Sequence, residues 1–237
     1  MDSFRPINLK NQVFPRPSER GSAVLWVFII IALFAALNFA FMQNTRSGGG
    51  SADITAEKTR LLATEIIDYG RVARDTTKQL KINGCTDTQI SFEQGGAYVN
   101  AATPSDNHCK LFHASGGGLL WEKISVESGG TMGFTGQEGV AGIGTAAPEL
   151  VLKWEGISLD LCKAVNQKLG VTGTSNDPPH SATGTCDLAT AGCKFTGTYT
   201  ATYTITNGDN DFTGKPTGCY DEAGGGNYIF YQVLVTR

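Results

Sequence analysis

Residues 22 to 42 read Ser-Ala-Val-Leu-Trp-Val-Phe-Ile-Ile-Ile-Ala-Leu-Phe-Ala-Ala-Leu-Asn-Phe-Ala-Phe-Met, and the first charge after them is Arg46. Ahead of this run lies a leader with Arg5, Lys10, Arg16 and Arg20 that closes in Glu19-Arg20-Gly21. About 20 apolar residues are needed to cross a hydrocarbon core, and a basic flank stays on the cytoplasmic side. The expectation is a single-pass inner-membrane chain with a cytoplasmic N-terminus and everything beyond Arg46 outside the cytoplasm. A cleaved secretory signal is the rival reading. Its apolar stretch would be shorter, about 7 to 15 residues, and would end in an Ala-x-Ala-like site, which the run lacks.

A short basic leader ending in Gly, an apolar helix starting at once behind it, and a second, amphipathic helical stretch before a Gly-rich domain resemble the type IV pilin and type II secretion pseudopilin superfamily. The resemblance covers residues 16 to 83. It implies prepilin peptidase cleavage between Gly21 and Ser22, and other pilin-like subunits as partners of the apolar helix. It also implies an α+β fold, in which a long N-terminal helix, half transmembrane and half amphipathic, packs on a C-terminal antiparallel sheet. This chain departs from the family at two positions: Trp26 stands where the fifth mature residue is usually Glu, and Ser22 would replace the usual Phe or Met.

The expected organisation is a leader over 1–21, a transmembrane helix over 22–46, a Gly-rich hinge over 47–52 and a globular domain over 53–237. Ser47-Gly-Gly-Gly-Ser51 carries the hinge, because each glycine costs about 1 kcal/mol in a helix relative to Ala. Asp53 or Thr55 can cap the next helix. Leu62, Ile66, Tyr69, Ala73, Thr76 and Leu80 give it one apolar face, and Asn83-Gly84 ends it. Short strands are expected at 89–92, 110–113, 119–126 and 149–154, and a helix at 159–169. Residues 195–206 alternate with a threonine face and lead into an Asn207-Gly208 hairpin turn, and 228–235, apolar on both faces, suits a central strand.

All six cysteines follow the apolar run, and an even count outside the cytoplasm reads as disulfides. The expected pairs are Cys85 with Cys109, Cys162 with Cys219, and Cys186 with Cys193. His108, Cys109, His113 and Cys85 form a conceivable zinc set, but the spacing matches no standard site and the compartment favours disulfides. Asn207, Asp209 and Asp211 alternate like the opening of a calcium loop. Phe212 then stands where such a loop needs Gly, and Gly218 where it needs a bidentate Glu, so a polar turn is the better reading. The glycines at 133, 136, 139, 142 and 144 read as a surface loop rather than collagen or a dinucleotide site.

A net charge of -3 with 17% charged residues points away from nucleic acid. No nucleophile elbow, phosphate loop or zinc-protease motif occurs, and His108, His113 and His180 fall in no recognisable catalytic set. The function expected is therefore structural and non-enzymatic, with no cofactor: a minor or tip subunit of a type IV pilus or type II secretion pseudopilus. The alternative is a stand-alone membrane-anchored binding or adhesion domain. If the glycines uncouple two helices, replacing Gly48, Gly49 and Gly50 together with Ala should raise helicity and slow proteolysis across residues 44–55. Unchanged cleavage there would count against a hinge.

Overall fold

The computed structural model describes residues 22–46, 50–121, 130–181, 184–200, 203–206 and 209–237. Contacts divide the chain into two units, Met1–Asp53 and Ile54–Arg237.

In the first unit, α1 spans Ser22–Arg46. Its described side chains, those of residues 25–38, are all exposed. Among the described residues no helix is long and apolar enough to cross a membrane. At 1.5 Å per residue those side chains cover only about 20 Å, against a hydrocarbon core of about 30 Å. The leader, including Gly21, and residues 47–49 of the expected hinge lie outside the described residues. The next helix, α2, already begins at Gly50, before the expected cap at Asp53 or Thr55.

The second unit is built on a five-stranded sheet. Helix α2 (Gly50–Ile82) enters it from Ile54 on, β1 is Thr131–Val140, β2 is Glu149–Ile157, and α3 is Leu159–Leu169. Strands β3 (Tyr203–Ile205), β4 (Thr217–Asp221) and β5 (Tyr228–Val235) follow. The order across the sheet is β3-β1-β2-β5-β4.

The expected fold, a long apolar N-terminal helix on an antiparallel sheet, is corrected on both counts. The helix that packs on the sheet is the amphipathic α2. Its Ala63, Ile66, Ala73 and Leu80 are buried in one cluster with Phe134, Leu152, Trp154 and Phe230 from the strands. The sheet is mixed, because β3 runs parallel to β1 while the other three pairings are antiparallel. The face of α2 also differs slightly, with Thr77 buried and Thr76 only partly so. Close approach of α2 to β5 depends on Gly70, where a Cβ would lie 3.2 Å from Phe230 Cζ.

Two further corrections concern strands. Residues 131–140, expected as a Gly-rich loop, form β1. A Cβ at Gly133 would fall 2.0 Å from Tyr98 Oη, and one at Gly136 2.8 Å from Phe195 Cδ2, so these glycines let other chain segments lie directly on the strand. The alternating stretch 195–206 contributes only β3. Gly197 has φ +88°, and Phe195 and Tyr199 turn toward each other in an aromatic cluster; before β3, residues 195–200 touch β1 only at single backbone bonds, from the Phe195 N–H to Phe134 O and the Thr200 N–H to Gly136 O. The segments at 89–92 and 110–113 meet in one isolated bridge, Ser91 with Lys110. Of the strand expected at 119–126, residues 122–126 lie outside the described residues, as does the Asn207-Gly208 turn.

Helix α3 has a complete local explanation. The Ser158 hydroxyl accepts the Leu161 N–H, and Gly170 closes the C-terminus in the left-handed region at φ 65°. The helix buries Leu161, Cys162 and Val165 against the sheet. Asn166 covers the outer edge of β4. Its Nδ2 donates to Cys219 O at 2.7 Å, and its Oδ1 accepts the Cys219 N–H at 2.8 Å. Edge strands need such cover for their free backbone groups. Asn166→Ala should therefore cost about 2–4 kcal/mol, since two buried backbone groups lose their partners. Urea unfolding would measure it, and a loss below about 0.5 kcal/mol would show that the edge is satisfied in another way.

Candidate functional site

The structure brings the six cysteines together as three disulfides: Cys85–Cys109, Cys162–Cys219 and Cys186–Cys193. The first ties the end of α2 to the 85–113 segment, and the second joins α3 to β4. Ligand atoms of Cys85, His108 and Cys109 do lie within 4.8 Å of one another. Both sulfurs are consumed by the disulfide, so the set offers no thiolate pair to a metal. His108 Nδ1 instead meets Asp106 Oδ1, and His113 Nδ1 accepts the Ser115 N–H at 3.1 Å. His180 Nε2 lies 3.5 Å from the buried Asp221.

The calcium candidates are engaged with a neighbouring loop. Asp211 accepts the Thr174 N–H at 3.2 Å and the Thr174 hydroxyl at 2.7 Å, and Asp209 accepts the Ser175 hydroxyl. Asn207 lies outside the described residues. The acids thus fasten the 209–211 turn to residues 174 and 175.

Two features carry functional weight. One is α1. Leu25, Trp26, Phe28, Phe34 and Leu37 are each at least 60% exposed, and Val27, Ile30, Ile31 and Leu33 are more than half exposed. A helix apolar on all sides belongs inside a larger assembly or in lipid. Trp26 is part of this apolar surface.

The other is a charged cluster sealed beneath the face of the sheet away from α2. Apolar residues of β2 alternate onto the α2 side as Leu150, Leu152 and Trp154, which sends Glu149, Lys153 and Glu155 to the opposite face. That face is not solvated. Lys153 and Glu138 are 0% exposed, and Glu155 is 12% exposed. Lys153 Nζ lies 2.8 Å from Glu138 Oε1 and 2.8 Å from Glu155 Oε1, and it donates to Cys186 O at 2.8 Å. Glu138 Oε1 also accepts the Cys186 N–H at 2.8 Å, while its Oε2 is buried without a hydrogen-bond partner among the described residues. Glu155 Oε2 accepts the Leu188 N–H at 3.1 Å.

Burial works against the charge of Lys153, but Glu138 and Glu155 together hold its ammonium above the ordinary lysine range. Burial raises the Glu155 carboxyl despite Lys153. It also raises the phenol of Tyr220, which both carboxylates push further. Glu222 is lowered on balance, because its hydrogen bonds from Thr185 and Asn227 outweigh its burial. The loop closed by Cys186–Cys193 therefore docks through its backbone onto a lysine flanked by two acids.

None of these cluster residues stands out in the sequence as a site. Charges alternating with apolar residues along a strand read as a solvated face, and only the chain that folds over them shows otherwise. No family model, curated protein or solved structure matches the chain.

Lys153→Met should destabilise the domain by about 3–5 kcal/mol, because it leaves two carboxylates in a buried site without their cation. Chemical denaturation would measure the loss. A change within about 0.5 kcal/mol would mean that the acids are neutral or hydrated without Lys153.

Proposed function

We propose that this chain is a non-enzymatic structural subunit of an extracytoplasmic filament, a type IV pilus or type II secretion pseudopilus, present in few copies or at the tip. The observation that carries the reading is α1, whose described side chains are all exposed and, Asn38 apart, apolar. Such a surface requires a non-aqueous partner. In this proposal the partner is the inner membrane before assembly and the apolar helices of other subunits afterwards. The Gly21-Ser22 junction, directly ahead of α1, is the processing site for a prepilin peptidase. The disulfides suit a domain on the oxidising side of the membrane.

Trp26 favours the low-copy position. A buried mature amine needs a neighbouring acid, since an unpaired buried charge costs several kcal/mol, and Trp26 supplies none. A subunit at the tip has fewer neighbours that require one.

N-terminal sequencing of the chain from its native membrane should find Ser22 as the first residue. A bulky substitution such as Gly21→Trp should leave the leader attached. A mature chain that still begins at Met1 would overturn the processing reading and favour the stand-alone anchored domain. Abundant filaments of this subunit alone would remove the tip assignment.

A further inference from the structure

The geometry points to Lys153 and Glu138 as a self-modification site, at which the lysine amine and the glutamate side chain condense to an intramolecular amide with loss of water. Three observations meet there. The reacting groups are in contact at 2.8 Å and fully buried. The two oxygens of Glu138 have different surroundings: Oε1 is held by the Cys186 N–H, whereas Oε2 has no partner among the described residues. A third group, Glu155, lies 2.8 Å from the same nitrogen.

Each group has a defined part in the reaction. Lys153 passes a proton to Glu155, and its free amine attacks the Glu138 carboxyl carbon. The Cys186 N–H donates to Oε1 as negative charge develops on it, so Oε1 becomes the amide oxygen. Glu155 returns the proton to Oε2, and a second proton from the nitrogen follows it. Oε2 then leaves as water. The ammonium contributes three hydrogens, of which one remains on the amide and two depart with that oxygen, so no external reagent is required. Glu155 ends in its starting state.

Burial favours this outcome over the ion pair. Two charges that are costly to hold away from water are replaced by one neutral amide. Fixed contact also removes the entropic cost of bringing the groups together. The bond would link β1 to β2 beneath the Cys186–Cys193 loop, adding a cross-link that reductants cannot open.

The test is the intact mass of the full chain, purified and measured after reduction of its disulfides. The expected mass is one water below that calculated for the chain from its observed N-terminus, whether Met1 or Ser22. Proteolysis should yield a branched peptide joining Glu138 to Lys153. Lys153→Met and Glu138→Ala, which remove the amine and the acyl carbon respectively, should each abolish the branched peptide. Glu155→Gln keeps an oxygen for the Leu188 N–H and should slow linkage about 100-fold, as expected on loss of a general acid–base group. A wild-type chain at the unlinked mass overturns the proposal, as does a water loss that persists in Lys153→Met. A link mapped to Glu155 overturns the assignment of roles. Because the decisive measurement is made on the wild-type protein, poor folding of a variant cannot obscure it.

Discussion

Every layer of the Ile54–Arg237 unit depends on β2 and β5 being covered on both faces. Against α2, the burial is apolar and ordinary: Trp154, Leu152 and Phe230 meet Ile66 and Ala73. On the opposite face, Val151, Ile229, Tyr231 and Val233 form a second cluster with Phe212 and Tyr220. Lys153 lies on that same face and has no route to water. A buried ammonium is tolerated only where carboxylates and carbonyls surround it, so the chain between α3 and β4 must supply or position those groups. The Cys186 backbone does this, and the Cys186–Cys193 disulfide holds the loop in place.

The same constraint explains the glycines of β1. A loop that must reach Lys153 crosses the strand, and Tyr98, Leu188 and Phe195 all lie where a Cβ on Gly133 or Gly136 would stand. Small residues thus serve close packing here, not mobility. The aromatic side chains of Phe92 and Phe134, stacked at 3.9 Å, complete the seam between this strand and the 85–121 segment. The disulfides reinforce joints already closed by other contacts. Cys162–Cys219 lies beside the Asn166 bridge to the same β4 residue, so helix and edge strand are linked by covalent and polar contacts together.

The first unit follows a different rule. Its helix α1 buries none of its described side chains within the chain, although its composition is that of an interior. Protein surfaces of this kind are completed by something other than water. The division of labour proposed for the chain rests on this contrast: one unit buries its own apolar faces, and the other leaves its apolar side chains for an assembly or a membrane to cover.

Local features were legible wherever short-range physics decides. The span of α3 over 159–169, the end of α2 near Asn83-Gly84, the two-faced apolar run of β5 and the apolar character of α1 are all written in neighbouring residues. Their stability depends on contacts a few positions apart. What the sequence could not contain was the identity of the surface that each face would meet. Alternation at 195–206 described a face without guaranteeing a partner edge, and the glycines of 133–139 looked like a loop because their neighbours are distant in the chain. Nothing in the residues around Lys153, Glu138 and Glu155 marks them as a buried cluster, for the same reason. Whether a charge on a strand is exposed depends on which remote segment folds over it, and that was decided by tertiary structure alone.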